Sequence, residues 1–284
     1  MVYSRWSIVL ICLVIFLAGC GNDQYAVERD YWRLQKQTGK IFKNPNASPP
    51  SELERVVKLL NDFARRHSDT NFANFALDAE FNIARLYLVK EEYDKARAYL
   101  KTLLDKYKES KGVSAEIIYL LGNSFEIQEK WNLALEQYKK ILQQYPTTLR
   151  GLNIPIYIAQ YYKVKYQPDK MIAAFKEAIT HYQALANKYP NSVLGFQSNV
   201  LVSQCYMALK DWQQAINSLN SVIDKYKDKI NPDGIMMDIA LIYNRELKDN
   251  VKAKETLGKL IKEYPQSRLV KTATALLKEW SKNE

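Results

Sequence analysis

Residues Leu120 to Pro146, LLGNSFEIQEKWNLALEQYKKILQQYP, decide the fold. Apolar residues return every three or four positions on both sides of a polar break at Glu129 and Lys130. That is the period of two amphipathic helices joined by a short turn. Gly122 and Ala134 are small enough to let two antiparallel helices touch, and Phe125 and Tyr138 fill the space beside them. Pro146 then stops the second helix, because its ring cannot continue one. The stretch predicts a helical hairpin.

The hairpin recurs. Ala84, Tyr87, Ala96, Leu100, Leu103 and Tyr107 stand at the same mutual spacing as Gly122, Phe125, Ala134, Tyr138, Ile141 and Tyr145, a repeat of 38 residues. Ser203, Tyr206, Ala215, Leu219, Val222 and Tyr226 reproduce the register, and Ala240, Tyr243, Ala253, Leu257, Leu260, Tyr264 and Pro265 follow with one extra residue in the turn. A longer unit lies between, opened by Ala159 and Tyr162 and closed by Ala178, Tyr182, Leu185, Tyr189 and Pro190, with seven additional residues between its halves. Seven residues are about two helical turns, so the insertion lengthens a helix without rotating its apolar face. This order of small, aromatic, small, aromatic or apolar, then Tyr-Pro resembles the tetratricopeptide repeat. The resemblance implies an all-α chain, a solenoid of antiparallel hairpins with about five repeats over residues 71–265, and atypical helices capping both ends. Few glycines and prolines interrupt it, with 9 of each in 284 residues, and no β-sheet is expected.

The amino terminus reads as an export signal over residues 1–19. Arg5 supplies positive charge and Ile8 to Leu17 is an unbroken apolar run of ten, too short to span a bilayer, which needs about 20. Leu17-Ala18-Gly19-Cys20 looks like a bacterial lipobox, which implies cleavage before Cys20 and acylation of its thiol. Residues 20–50 then hold a tether and an additional helix from Tyr25 to Phe42, broken at Gly39 or ended by the proline-rich loop Asn44 to Pro50. Ser51 and Glu54 form a capping-box pair opening the solenoid proper, residues 51–284, whose first helix carries Val56, Leu59, Leu60 and Phe63 on one face. Leu269, Ala273, Leu276, Leu277 and Trp280 predict a closing helix over 267–281. With Cys12 in the leader and Cys20 acylated, Cys205 has no partner for a disulfide and reads as a packed small residue.

Enzyme chemistry has no foothold in the sequence. His67 and His181 are the two histidines, neither in metal-ligand spacing, and both read as solvated or helix-capping. Phosphate loops and nucleophile elbows do not occur, and the carboxylates alternate with lysines as on solvated helix faces. No cofactor or metal is expected. The formal charge is +10, of which the leader holds only Arg5; it suits anionic partners or serves solubility alone, while the scattered lysines and the export signal disfavour nucleic acid.

In the tetratricopeptide repeat family the first helix of each pair faces the ligand around its small residue. Carried onto this chain, that resemblance implies a partner-binding groove of Asp78, Phe81, Arg85, Glu116, Tyr119, Asn123, Glu126, Gln160, Lys163 and Gln204. The Lys and Asn pair with which some members clamp a carboxyl terminus is replaced by Phe81 with Arg85 and Tyr119 with Asn123. The expected function is a non-catalytic, lipid-anchored scaffold of the bacterial envelope, facing the periplasm from the outer membrane and binding an envelope protein or peptide. The plan of lipobox and five repeats resembles BamD-type lipoproteins of outer-membrane protein assembly, from which the long extension before Ser51 and the insertion after Tyr162 depart. The alternative is a module that binds the cell wall or regulates a cell-wall enzyme.

Overall fold

The computed structural model describes residues 5–281, with side chains from residue 24 onward, so the leader's side chains and the Cys20 thiol lie outside the described residues. Among the described residues there are thirteen α-helices, a 3-10 turn at Pro45–Ala47 and no strand. The helices are α1 (Arg5–Lys43), α2 (Pro50–His67), α3 (Ala73–Val89), α4 (Tyr93–Lys106), α5 (Lys111–Glu126), α6 (Trp131–Gln144) and α7 (Leu149–Val164). They continue as α8 (Pro168–Lys188), α9 (Val193–Ala208), α10 (Trp212–Tyr226), α11 (Asp233–Arg245), α12 (Asn250–Glu263) and α13 (Val270–Trp280). The all-α hairpin solenoid expected from the repeats is the fold observed.

The small residues of the ladder sit where helices meet. Ala84, Ala96, Ala134, Ala159, Ala215, Ala240 and Ala253 are all 0% exposed, as is Ser203, because a larger side chain would hold the two backbones apart. The insertion lengthens α8 to 21 residues, against 14 for α6 and 15 for α10. Tyr182 and Leu185 keep their buried register within it, as two added turns require.

Each hairpin turns in one way. Glu91, Glu129, Tyr166, Lys210 and Lys248 lie in the left-handed region, with φ of 60°, 59°, 53°, 59° and 57°. In four of them the next amide bonds a carbonyl five residues back: Glu92 to Tyr87, Lys130 to Phe125, Gln167 to Tyr162 and Asp211 to Tyr206, at 2.8 to 3.0 Å. This is the Schellman closure that satisfies the last carbonyls of a helix, made here without glycine. In the fifth turn the extra residue moves the bond to Asp249 and Tyr243, 2.9 Å apart.

The chain divides into two compact units, Met1–Ala134 and Leu135–Glu284. In the first, Tyr31, Leu34 and Ile41 of α1 join Val56, Leu60 and Phe63 of α2 and Ala79, Ile83 and Leu86 of α3 in one core. A second core packs Phe81 and Ala84 of α3 with Leu100, Leu103, Ile117, Leu120 and Leu121. In the second unit, α13 closes the core of α11 and α12 through Ala273 and Trp280.

Of the two ends expected for this helix, the proline-rich loop is the one observed: α1 runs unbroken through Gly39 to Lys43. Two local expectations are corrected. Helix α2 starts at Pro50 with Pro49 at its N-cap and no capping side chain, so Ser51 and Glu54 are not its capping box. Proline at the first helical position already has helical φ and no amide to satisfy. His181 is not solvated: it is half-buried, its Nε2 has no hydrogen-bond partner, and its ring meets Tyr182 edge-on at 5.6 Å. His67 packs its ring 4.6 Å from that of Phe63.

Candidate partner-binding site

A groove of the first unit is built chiefly by α3 and α5, the first helices of two successive hairpins. Leu88 and Leu120, 6% and 5% exposed, form the floor of this groove of about 520 Å³. Phe42 at the end of α1 and Ile127, 49% exposed, provide its apolar walls, while Arg85, Glu91, Tyr93 and Asn123 bring polar groups to its lining. Helix α1 thus contributes to a groove that the repeats alone were expected to make.

Arg85 is held in place by its neighbours. Its guanidinium lies 3.7 Å from Asp78 Oδ1, donates to Asn82 Oδ1 at 3.3 Å, and sits 5.7 Å from the Phe81 ring centroid. Asp78 in turn accepts from Gln35 Nε2 at 2.9 Å, from Asn82 Nδ2 at 3.2 Å and from the Tyr31 hydroxyl. Burial, and then the bond to this carboxylate, push the Tyr31 phenol well above its ordinary value, so it stays a proton donor. Asp78 therefore fastens α1 to α3 at the edge of the groove.

The residues expected at the site are distributed as follows. Arg85 and Asn123 share the groove. Phe81 is packed into the core between α3 and α5, and Tyr119 lies against the same core, half-buried. Glu116 and Glu126 are half-buried on α5. Gln160 and Lys163 on α7 and Gln204 on α9 are exposed side chains of the second unit. Reading the repeats missed Tyr31, Gln35 and Phe42, because α1 lies outside the ladder. Its spacing Tyr31, Leu34, Thr38, Ile41 was the available signal, since all four are buried along one face.

Other polar groups serve the framework. Glu80, buried on α3, accepts from Lys106 Nζ at 2.7 Å and from the Tyr107 hydroxyl at 2.6 Å, which satisfies its charge where α4 ends. Lys90 donates to the carbonyls of Pro45 and Ser48 at 2.6 and 2.9 Å and pins the proline-rich loop beside α3. Cys205 is fully buried, as expected of a packed small residue, and burial pushes its thiol up to about 12, far from a reactive thiolate. Across α8, α9 and α10 a polar groove of about 360 Å³ is lined by amides and hydroxyls, among them Gln183, Asn187, Asn199, Gln214 and Ser221. Among the described residues no group of three His, Cys, Asp or Glu side chains is arranged to hold a metal ion, and no helix is long and apolar enough to cross a membrane.

Comparison with known proteins bears on this geometry. The tetratricopeptide repeat profile matches residues 78–110, 116–148, 160–192, 201–229 and 235–267, and these segments end two residues beyond Pro146, Pro190 and Pro265 or beyond Lys108 and Lys227, which stand at the proline position of the other two repeats. Comparison with curated proteins finds no match. Among solved structures, the chain is similar to the TPR2AB domain:pHSP90 complex of yeast Sti1, at 16% identity and a TM-score of 0.32, covering 88% of this chain and 98% of that one. It is also similar to a tetratricopeptide repeat protein of Parabacteroides merdae, at 15% identity and a TM-score of 0.33, over 89% of this chain and 99% of that one. Neither likeness carries an argument about function.

Proposed function

Because this chain belongs to the tetratricopeptide repeat family, whose members mediate protein–protein interactions, we propose that it is a non-catalytic scaffold of the bacterial cell envelope that holds a segment of another envelope protein. Its lipid anchor is Cys20, its place the periplasmic face of the outer membrane, and its setting outer-membrane protein assembly or secretion. The observation that supports binding is the groove of the first unit, where Leu88, Leu120 and Ile127 form an apolar bed with Arg85 and Asn123 beside it. A bed of this kind buries one bulky apolar side chain of a partner, worth about 1.5–3 kcal/mol, while the polar groups fix the partner's backbone.

The test is photocrosslinking in intact cells from a photoreactive residue at Asn123, with the exposed Lys101 on α4 as a control position. A discrete envelope protein trapped from Asn123 and absent from Lys101 is the expected result, and Ile127→Asp abolishes it. The same pattern from both positions refutes the groove as the binding site. Mass analysis of the purified chain for two or three acyl chains on Cys20 tests the anchor separately.

A further inference from the structure

Over its described side chains, one face of α1 is not used by the fold. Tyr31, Leu34, Thr38 and Ile41 bury the side turned to α2 and α3. On the opposite side Tyr25, Arg29, Trp32, Lys36, Lys40 and Lys43 recur at helical spacing and are all exposed. At 3.6 residues per turn these six fall within about 80° of one another along about 27 Å of helix. Tyr25 and Trp32 are 64% and 56% exposed, unusual for rings of that size. Each has a cation over it, with Lys36 Nζ 3.6 Å from the Trp32 ring centroid and Arg29 5.9 Å from that of Tyr25. Acidic groups lie to the amino-terminal side: Asp30 pairs with Arg29 and Arg33 at 3.7 and 3.4 Å, and Glu28 accepts from Gln24 at 2.9 Å. Toward the carboxyl end only lysines remain on the stripe.

We propose that this stripe of α1 docks on the headgroup layer of an anionic lipid bilayer, with Trp32 at the interface and Lys36, Lys40 and Lys43 on the lipid phosphates. The inference rests on the reading that Cys20 is lipidated. Cys20 precedes Tyr25 by five residues, so the anchor holds the stripe at high local concentration beside the membrane. Amphipathic Trp and Tyr rings favour the headgroup level, and lysine stems lie along apolar surface while their ammonium groups reach the phosphates. A run of exposed lysines is attracted to anionic lipid and not to neutral lipid, which identifies the lipid class. The arrangement orients the first unit: docking one side of α1 leaves its other side, and the α2–α3 core built on it, facing away from the bilayer.

The full chain, processed in a lipidating host and reconstituted into vesicles, provides the test. Brominated phosphatidylglycerol quenches only tryptophans at its depth, and subtracting the signal of Trp32→Phe isolates Trp32 from Trp131, Trp212 and Trp280, the other tryptophans left after cleavage before Cys20. Trp32-dependent quenching is expected in brominated phosphatidylglycerol, with its loss in brominated phosphatidylcholine and in the triple variant Lys36→Glu, Lys40→Glu, Lys43→Glu. Identical quenching of the wild-type chain and Trp32→Phe overturns the proposal. Trp32 quenching that is equal in both lipids and untouched by charge reversal overturns the anionic contact. Flotation with the vesicles and the mass of Cys20 report the anchor independently, so an unmodified Cys20 defeats the anchor reading while the Trp32 signal still decides this one.

Discussion

Gly195→Ala isolates the closest approach between consecutive hairpins. A Cβ built on Gly195 lies 2.0 Å from the Tyr189 carbonyl oxygen, 2.9 Å from its carbon and 3.2 Å from the Tyr226 hydroxyl. Real contacts stop near 3.0 Å, so the turn must open by about 1 Å. That turn is bound on every side. Ser192 Oγ accepts from the Gly195 amide at 3.0 Å and donates to the Tyr189 carbonyl at 2.8 Å. Tyr226 donates to the Pro190 carbonyl at 2.7 Å, and Asn199 donates to the Gly195 carbonyl at 2.8 Å. Opening the turn disrupts two or three of these bonds at about 0.5–1.5 kcal/mol each, so the expected cost is about 2–4 kcal/mol. The same substitution at Gly258 inside α12, where a Cβ meets nothing within 4 Å, stabilises by about 0.5–1 kcal/mol by removing backbone freedom from the unfolded chain. Urea unfolding followed by circular dichroism measures both, with equal slopes required for comparison. If Gly195→Ala shifts the midpoint in the same direction as Gly258→Ala, the close-approach argument is wrong.

The left-handed turns give a second expectation: Glu129→Gly and Lys210→Gly each stabilise by up to about 1 kcal/mol, and Glu129→Val destabilises by about 1–2 kcal/mol, read by the same urea midpoints. Ala134→Leu inserts bulk at a fully buried ladder position and costs about 1–3 kcal/mol, whereas Lys139→Leu at an exposed position of α6 costs little; equal effects would remove the register. His181 supplies a pH dependence. Burial holds its imidazole below the ordinary value, so the unfolded chain takes up a proton that the folded chain refuses. Its contribution to stability is complete above the ordinary imidazole value of about 6.5 and is lost as pH falls below it. His181→Gln should flatten the fall of the urea midpoint between about pH 7 and pH 5, and an unchanged slope counts against it.

Most of the architecture was legible because the repeat states the same fact several times. A single alanine at Ala215 means little, but alanine or another small residue at each equivalent position can only mark a helix contact, and all of them are buried. The length of α8 was readable for the same reason, since an insertion of whole turns keeps Tyr182 inside. What escaped depends on partners far apart in sequence. Nothing near Asp78 announces that Tyr31 and Gln35, 47 and 43 residues earlier, will occupy its carboxylate. Arg85 and Asn123, named through the family resemblance by their offset from the small residue, line one groove, while the wall made by Phe42 required knowing how α1 lies on α3. His181 was misplaced because its exposure depends on how the lengthened α8 packs, which helical periodicity alone does not resolve.

Helices of the first unit pack on their neighbours in sequence: α1 on α2 and α3, α2 on α3, α3 on α4, and α4 on α5. The core that joins α1, α2 and α3 draws its buried members from Tyr31 to Leu86 and from no later residue. It can therefore close without any buried residue from the two thirds of the chain that follow. Once that core is closed, Phe81 and Ala84 of α3 present a formed surface on which α4 and α5 settle, and the far end of the chain has no part in it.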